Sequence, residues 1–245
     1  MKEIETITTT KLIRAAGIAA LVAGALFLLP QFIHPEDQVA QVTTTGWAVA
    51  HLVNTTMAVL ALIGVTGLYL RQVRETGVLG LIGFVLLGVG FLMIAIVSFA
   101  EAVILPQIAD VAPRYVNDFL ATLVGGDVKG DVGQLGLANG VAAVTYLLGG
   151  VLFGVALYRA GIVARWAALL LSVGAVASLA AAVLPETIFR TATFPTAVAL
   201  MGLGYSLWRE ETAIVTEATD NVHRVSRNDQ SSSFVHVPRR RVTPQ

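Results

Sequence analysis

The sequence predicts an all-α polytopic membrane protein, built as a bundle of six transmembrane helices. Three observations carry this. The chain of 245 residues is 56% hydrophobic but only 13% charged, whereas a typical soluble domain carries about 25% charged residues. The apolar residues gather into six long stretches, at roughly 13–33, 46–70, 78–105, 134–158, 163–184 and 190–208, and a spanning helix needs about 20. The connections between the stretches alternate in charge, which sets an orientation.

The first stretch follows Lys2, Lys11 and Arg14. It could be misread as a signal peptide, but its upstream region is long and contains Glu3 and Glu5, and no small-residue cleavage site follows Phe32, so a retained helix is expected. Arg71 and Arg74 follow the second stretch. Arg159 and Arg165 flank the turn between the fourth and fifth. Arg209, Arg224, Arg227 and Arg239 to Arg241 follow the sixth. Of the sixteen Lys and Arg residues, only Arg114, Lys129 and Arg190 fall on the other side. The positive-inside rule then places both termini in the cytoplasm, in a multi-pass protein of the cytoplasmic (inner) membrane of a prokaryotic cell. Tyr69, Tyr158, Trp166 and Trp208 fall at the inner boundary and Trp47 at the outer one, where aromatic anchors are expected. The domain division is a cytoplasmic segment at 1–12, a membrane domain at 13–208 and a disordered cytoplasmic tail at 209–245.

Small residues spaced by four, Ala20 and Gly24, Gly150 and Gly154, Gly174 and Ser178, allow helix backbones to approach in lipid. Pro195 predicts a kink in the sixth stretch. Three outward-running stretches end in Leu29-Pro30-Gln31, Leu105-Pro106-Gln107 and Leu184-Pro185-Glu186. Three inward-running ones end in Gly-to-aromatic-to-Arg runs at 67–71, 154–159 and 204–209. Three duplicated helical hairpins would leave this pattern. Convergence would leave it too, because proline at a helix end and an aromatic beside arginine are generic at a membrane interface.

The longest connection, 106–133, places Tyr115, Phe119, Leu120 and Leu123 at helical spacing, which predicts a short interfacial helix over the bundle mouth. The glycine-rich run 125–131 reads as a flexible turn without the ligand count of a calcium loop. The polar tail has no periodic apolar face, and Arg239 to Arg241 read as a solvated charge run or a contact for anionic lipid.

Ionisable and amide groups inside spanning helices are default functional candidates, since a charge there costs about 2.5–3.5 kcal/mol on insertion scales. Here they are His51 and Asn54 on the second helix, Ser98 and Glu101 on the third, and Asn139 and Tyr146 on one stripe of the fourth. His51, Glu101 and Asn139 each lie about five residues from the outer end of their helix, a depth of roughly 7 Å at 1.5 Å per residue. One polar layer open to the outside would join them, with His51 offsetting the charge of Glu101 and a proton exchanged between them near neutral pH. Interhelical hydrogen bonding is the competing explanation for the same residues.

Sharper chemistries find little support. His34, His51 and Glu101 are a ligand set that zinc accepts, but no close His-x-x-x-His pair exists, so no metal is assigned. A bis-histidine haem lacks its second buried histidine. Ser98, His51 and Glu101 resemble no nucleophile elbow, and no catalytic residue is assigned. The absence of cysteine excludes disulfides and thiolate chemistry. No cofactor is expected. Zero net charge gives no field to steer nucleic acid. The expected partners are the lipid bilayer and either a second copy or another membrane protein.

The stretch from Leu157 to Trp166, Leu-Tyr-Arg-Ala-Gly-Ile-Val-Ala-Arg-Trp, with the Ala/Leu/Gly-rich helix that follows to about residue 175, resembles a segment of uncharacterised bacterial six-helix membrane proteins catalogued as a domain of unknown function. Their turn reads Tyr-Arg-x-x-x-x-Pro-Arg-Trp, and Ala164 stands here in place of the proline. The resemblance implies the six-helix topology and no catalytic residue. The function expected from the sequence is a small-solute or proton-coupled transport protein, or a subunit of one, with its site at the residues above. The alternative is a non-transporting accessory or regulatory membrane protein acting through its tail.

Overall fold

Residues 8–181 and 192–210 are described by the computed structural model, and those residues are helical with no strand among them. Helix α1 (Thr9–Leu28) is capped by Thr8, whose side chain accepts from the Lys11 amide. It is followed by a single turn, α2 (Pro30–Ile33). After a short 3-10 turn come α3 (Thr45–Arg71) and α4 (Val73–Phe99). A π-helical turn at Ala100–Ile104 then leads into α5 (Leu105–Ile108). The amphipathic α6 (Pro113–Val124) precedes α7 (Leu135–Ala160) and α8 (Arg165–Ala181). A last helix, α9, covers 194–210. Four helical spans, Thr9–Ile33, Thr45–Arg71, Val73–Ile108 and Leu135–Ala160, are long and apolar enough to cross a membrane; the apolar part of α8 is shorter.

The helices pack in an order that follows the chain. α1 lies on α3, α3 on α4, α4 on α7, and α7 on α8. α9 closes the bundle. It meets α1 where Gly17 faces the Gly204 carbonyl, and α8 where Gly174 faces Thr196. The interior holds Met57, Leu68, Leu87, Phe91, Phe153 and Leu203, all essentially inaccessible. Large apolar side chains also cover the outside, among them Ile18, Leu52, Val85, Leu92, Ile96 and Val173. An exterior this apolar is the surface that lipid, not water, accommodates.

Close approach at the crossings depends on residues without a side chain. A Cβ on Gly83 would lie 2.7 Å from the Phe153 Cα, and one on Gly90 would lie 2.8 Å from the Tyr146 Cα. Both crossings join α4 to α7. Ala20 sits against Gly64, Gly154 against Ser172, and Gly24 against Met201. In lipid such contacts replace the hydrophobic drive by dispersion between backbones.

Several expectations are refined. The turn between α3 and α4 occupies residues 72–77, and Gly77 takes a positive φ of 56° there, so the straight part of α4 begins at Val78. The same span does not stop at Pro106. It passes into α5 through the π turn, in which the Leu105 amide reaches back to the Ala100 carbonyl. A proline removes one ladder donor and crowds the carbonyl four residues earlier, and the wider turn before it absorbs both effects. Pro30 and Pro106 each fall at the start of a four-residue helical turn, α2 and α5; the third related site, Leu184-Pro185-Glu186, lies outside the described residues. Helical structure is interrupted at Thr193, two residues before Pro195. The ends of the stretches predicted at 163–184 and 190–208 also reach outside the described residues, as do residues 1–7 and the tail from 211 onward.

α6 forms where an interfacial helix was predicted, but its buried stripe is Val116, Phe119 and Leu120, while Tyr115 is exposed. Trp47 is not a lipid-facing anchor: it is completely buried beneath α6, in a cluster with Val42, Leu105, Ala109 and Phe119.

The α4–α7 crossing yields a direct test. Gly83→Leu should lower the thermal midpoint in detergent by an amount equivalent to about 1–3 kcal/mol, the usual range for overpacking. Gly140→Ala, where nothing lies within 4 Å of the added Cβ, should leave the midpoint unchanged or raise it.

Candidate functional site at the α6 end of the bundle

Three segments build the site. α3 supplies Trp47 and His51, one helical turn apart and therefore on one face. The π turn supplies Glu101. The C-terminal end of α2 supplies His34. The ring of His51 lies against Trp47, with centroids 4.3 Å apart, and edge-on to His34 at 4.8 Å. The Trp47 indole Nε1–H donates to the backbone carbonyl of Glu101 at 2.9 Å. That bond explains why tryptophan is buried there: the widened turn turns a carbonyl toward α3, and the indole is the donor that meets it.

His51 Nδ1 lies 3.0 Å from Glu101 Oε2, and the two side chains are only 3% and 8% exposed. The contact is short but poorly aligned for a hydrogen bond, and neither ring nitrogen has a well-directed partner among the described residues. The pair is therefore in close polar contact without a formed hydrogen bond. Removing one member of such a buried pair leaves the other uncompensated, at a cost of about 3–5 kcal/mol. His34 is half-buried, with Nδ1 2.7 Å from the Pro35 carbonyl, and it lies between the exposed 35–38 loop and His51. Glu36 and Asp37 on that loop are exposed.

The pair is covered in this conformation. α6 and the 3-10 turn at Val39–Gln41 pack over Trp47, and Asp118 of α6 ties down the following loop. Its carboxylate accepts the backbone N–H groups of Lys129 at 3.2 Å and Gly130 at 2.9 Å. The run 125–131 is thus anchored in its second half, at Lys129 and Gly130.

The remaining predicted residues are placed differently. Ser98 is buried one turn before Glu101 on α4. Asn54 is half-buried one turn beyond His51. Asn139 and Tyr146 belong to α7, which packs against α4 and α8 and not beside α3. The Asn139 side-chain nitrogen is buried without a partner among the described residues. The Tyr146 hydroxyl lies 3.3 Å from the Thr196 hydroxyl of α9, and its ring packs edge-on against Phe91. The polar residues thus form two groups on different sides of α4. His51 and Glu101 make one, and Tyr146 with Thr196 makes the other.

His34 and Trp47 complete the first group. For Trp47 the signal was present in its spacing of four from His51. From sequence, His34 joins His51 and Glu101 only as a metal-ligand set, and the turn made by α2 is what brings its ring against His51. Among the described residues no group of three His, Asp or Glu side chains is arranged to hold a metal.

The indole bond gives a test of the site's architecture. Trp47→Phe keeps the ring stack and removes the donor to the Glu101 carbonyl. It should destabilise the protein by about 1–3 kcal/mol, the cost of leaving a buried acceptor unsatisfied, read as a lower thermal midpoint in detergent. Comparison of the chain with protein-family models, curated proteins and solved structures gave no match.

Proposed function

We propose that this chain is a multi-pass protein of the cytoplasmic membrane, with six spans and both termini inside, that transports a small solute in a proton-coupled manner, alone or as a subunit of a larger transporter. The observation that carries the reading is the His51–Glu101 pair, 3.0 Å apart and more than nine-tenths buried, within spans whose other buried polar residues described, such as Ser98, Ser172 and Thr196, are uncharged. Ionisable groups at such a position are costly and mark ion or proton pathways.

The chemistry follows from counting protons. With one proton between them, the two side chains are neutral together, whether the proton sits on the imidazole or on the carboxyl. Loss of that proton leaves a single negative charge in an apolar surrounding. A cationic solute that enters as the proton leaves would restore neutrality. Proton and solute would then exchange at one place without a bare charge being buried. His34 provides the first step from the surface, and the Trp47–α6 layer is the part that would open. Glu101 stands on a π turn, a local widening of the helical ladder that recurs at functional sites. The likeness of the 157–166 turn to six-helix proteins fits the same topology.

The orientation is supported by where the cations lie. Arg14 rests over the Trp208 ring at 5.6 Å, Arg165 over Tyr158 at 5.9 Å, and Arg71 pairs with Glu210. All three contacts are at the end of the bundle opposite α6, the end that the positive-inside rule assigns to the cytoplasm.

Because the chain contains no cysteine, single cysteines report sidedness without background. In intact cells, Gly126→Cys should react with a membrane-impermeant maleimide and Arg74→Cys should not until the membrane is opened; the reverse result removes the topology. The transport reading is tested in liposomes containing pyranine and the purified protein, challenged with a panel of small organic cations. The wild type should give a solute-dependent change of internal pH that Glu101→Gln abolishes and His51→Ala reduces at least tenfold. Equal traces for the wild type and Glu101→Gln would remove Glu101 from the mechanism.

A further inference from the structure

A second feature lies at the opposite end of the molecule and is independent of the transport reading. A half-open groove of about 620 Å³ runs between the α7–α8 turn and the last turns of α9. Ile162 to Ala164 form its floor, and Trp166, Tyr205, Ser206 and Arg209 its walls, with Glu210 at one end. Trp166 and Tyr205 are 57% and 50% exposed, and the six-membered edge of the indole lies against Gly202.

The charges in the groove are unequal. The Glu210 carboxylate is already engaged by Arg71. Arg209 is exposed, and neither an acidic partner nor an aromatic ring beneath it occurs among the described residues. The Ser206 oxygen accepts from the Ala164 amide at 3.0 Å, which leaves its own O–H free to donate. The groove therefore offers a guanidinium with no acidic partner among the described residues, and a hydroxyl donor, between two exposed aromatic walls.

The surface beyond the groove is apolar along both walls. Trp166, Leu169 and Val173 lie at helical spacing on α8 and are all exposed. Tyr205 and Val198 do the same on α9. Exposed apolar residues thus extend from the cationic pocket for about two turns along each helix. A water-borne anion would use only the pocket. An amphiphile with an anionic head and two acyl chains would use the pocket and the apolar residues of both helices.

We infer that this groove binds the head group of an anionic glycerophospholipid of the leaflet at the arginine-rich end, with its phosphate on Arg209 and Ser206 and its acyl chains along the exposed faces of α8 and α9. Arginine suits the phosphate because its planar fork presents paired donors. A head-group hydroxyl, as in phosphatidylglycerol, would reach the carboxylate of Glu210.

The test uses the full chain, delipidated in detergent, and reads its thermal midpoint by tryptophan fluorescence. Dioleoyl-phosphatidylglycerol should raise the midpoint several degrees more than dioleoyl-phosphatidylcholine, and native mass spectrometry should retain one phosphatidylglycerol per chain. Arg209→Gln should remove at least half of the difference between the two lipids, while Arg209→Lys keeps part of it. Trp166→Ala, which leaves the charge intact, should weaken retention of both lipids, and it keeps the inference testable if Arg209→Gln does not fold. Four results would overturn the inference: equal shifts with the two lipids, an undiminished preference in Arg209→Gln, the same stabilisation by soluble glycerol phosphate, or a preference that emerges only after deletion of residues 212–245, which would make the chain's own tail the occupant.

Discussion

A polar group placed among apolar side chains and lipid must find its partner within the protein, and most of this structure follows from that constraint. Helices meet it for the backbone, because each N–H is bonded inside its own segment. The hydroxyl residues of the spans meet it by turning back on their own helix. Thr55 donates to the His51 carbonyl, Thr66 to Leu62, Thr145 to Val141 and Ser178 to Gly174. Where the ladder is disturbed, the response is equally local. The π turn before Pro106 turns the Glu101 carbonyl toward α3, and the Trp47 indole takes it. Hydrogen-bonding capacity is used up close to where it arises, so little polarity remains for a site.

That economy makes the exceptions informative. His51 and Glu101 are buried, adjacent and poorly aligned. A structural pair would be expected to settle into good hydrogen-bond geometry, since a buried charge gains most from it. The Arg71–Glu210 pair at the other end is less buried than His51 and Glu101, and it joins α3 to α9 where water is nearer. The two ends thus treat their charges differently: one joins helices near the surface, and the other encloses an ionisable pair beneath a tryptophan.

Packing sets how the two polar groups are separated. α4 lies between α3 and α7, and its glycines bring it close to the α7 backbone at Phe153 and Tyr146. Tyr146 is then directed to Phe91 and Thr196, and the residues around His51 are left to α2, α3 and the π turn. Gly83 and Gly90 are therefore part of the scaffold for the site although they touch none of its side chains.

Helical class, four of the six expected apolar spans and the positions of the candidate ionisable residues were legible in the chain, because spanning length and the rarity of buried charge are properties of composition and order. The amphipathic helix above the bundle was legible as well, although the face it buries was shifted from Tyr115 to Val116 by the residues it meets. Tertiary structure alone decided which polar residues meet. Six residues at plausible depths were compatible with one layer; helix order placed Asn139 and Tyr146 away from His51, and the turn made by Pro30 brought His34 toward it. Trp47 illustrates the reason. Its place near a span's end suggested an anchor in lipid, yet a carbonyl on another helix, 54 positions away in the chain, made it a buried hydrogen-bond donor. Local sequence sets what each residue can offer, but the partner that uses it is chosen by packing between segments distant in the chain.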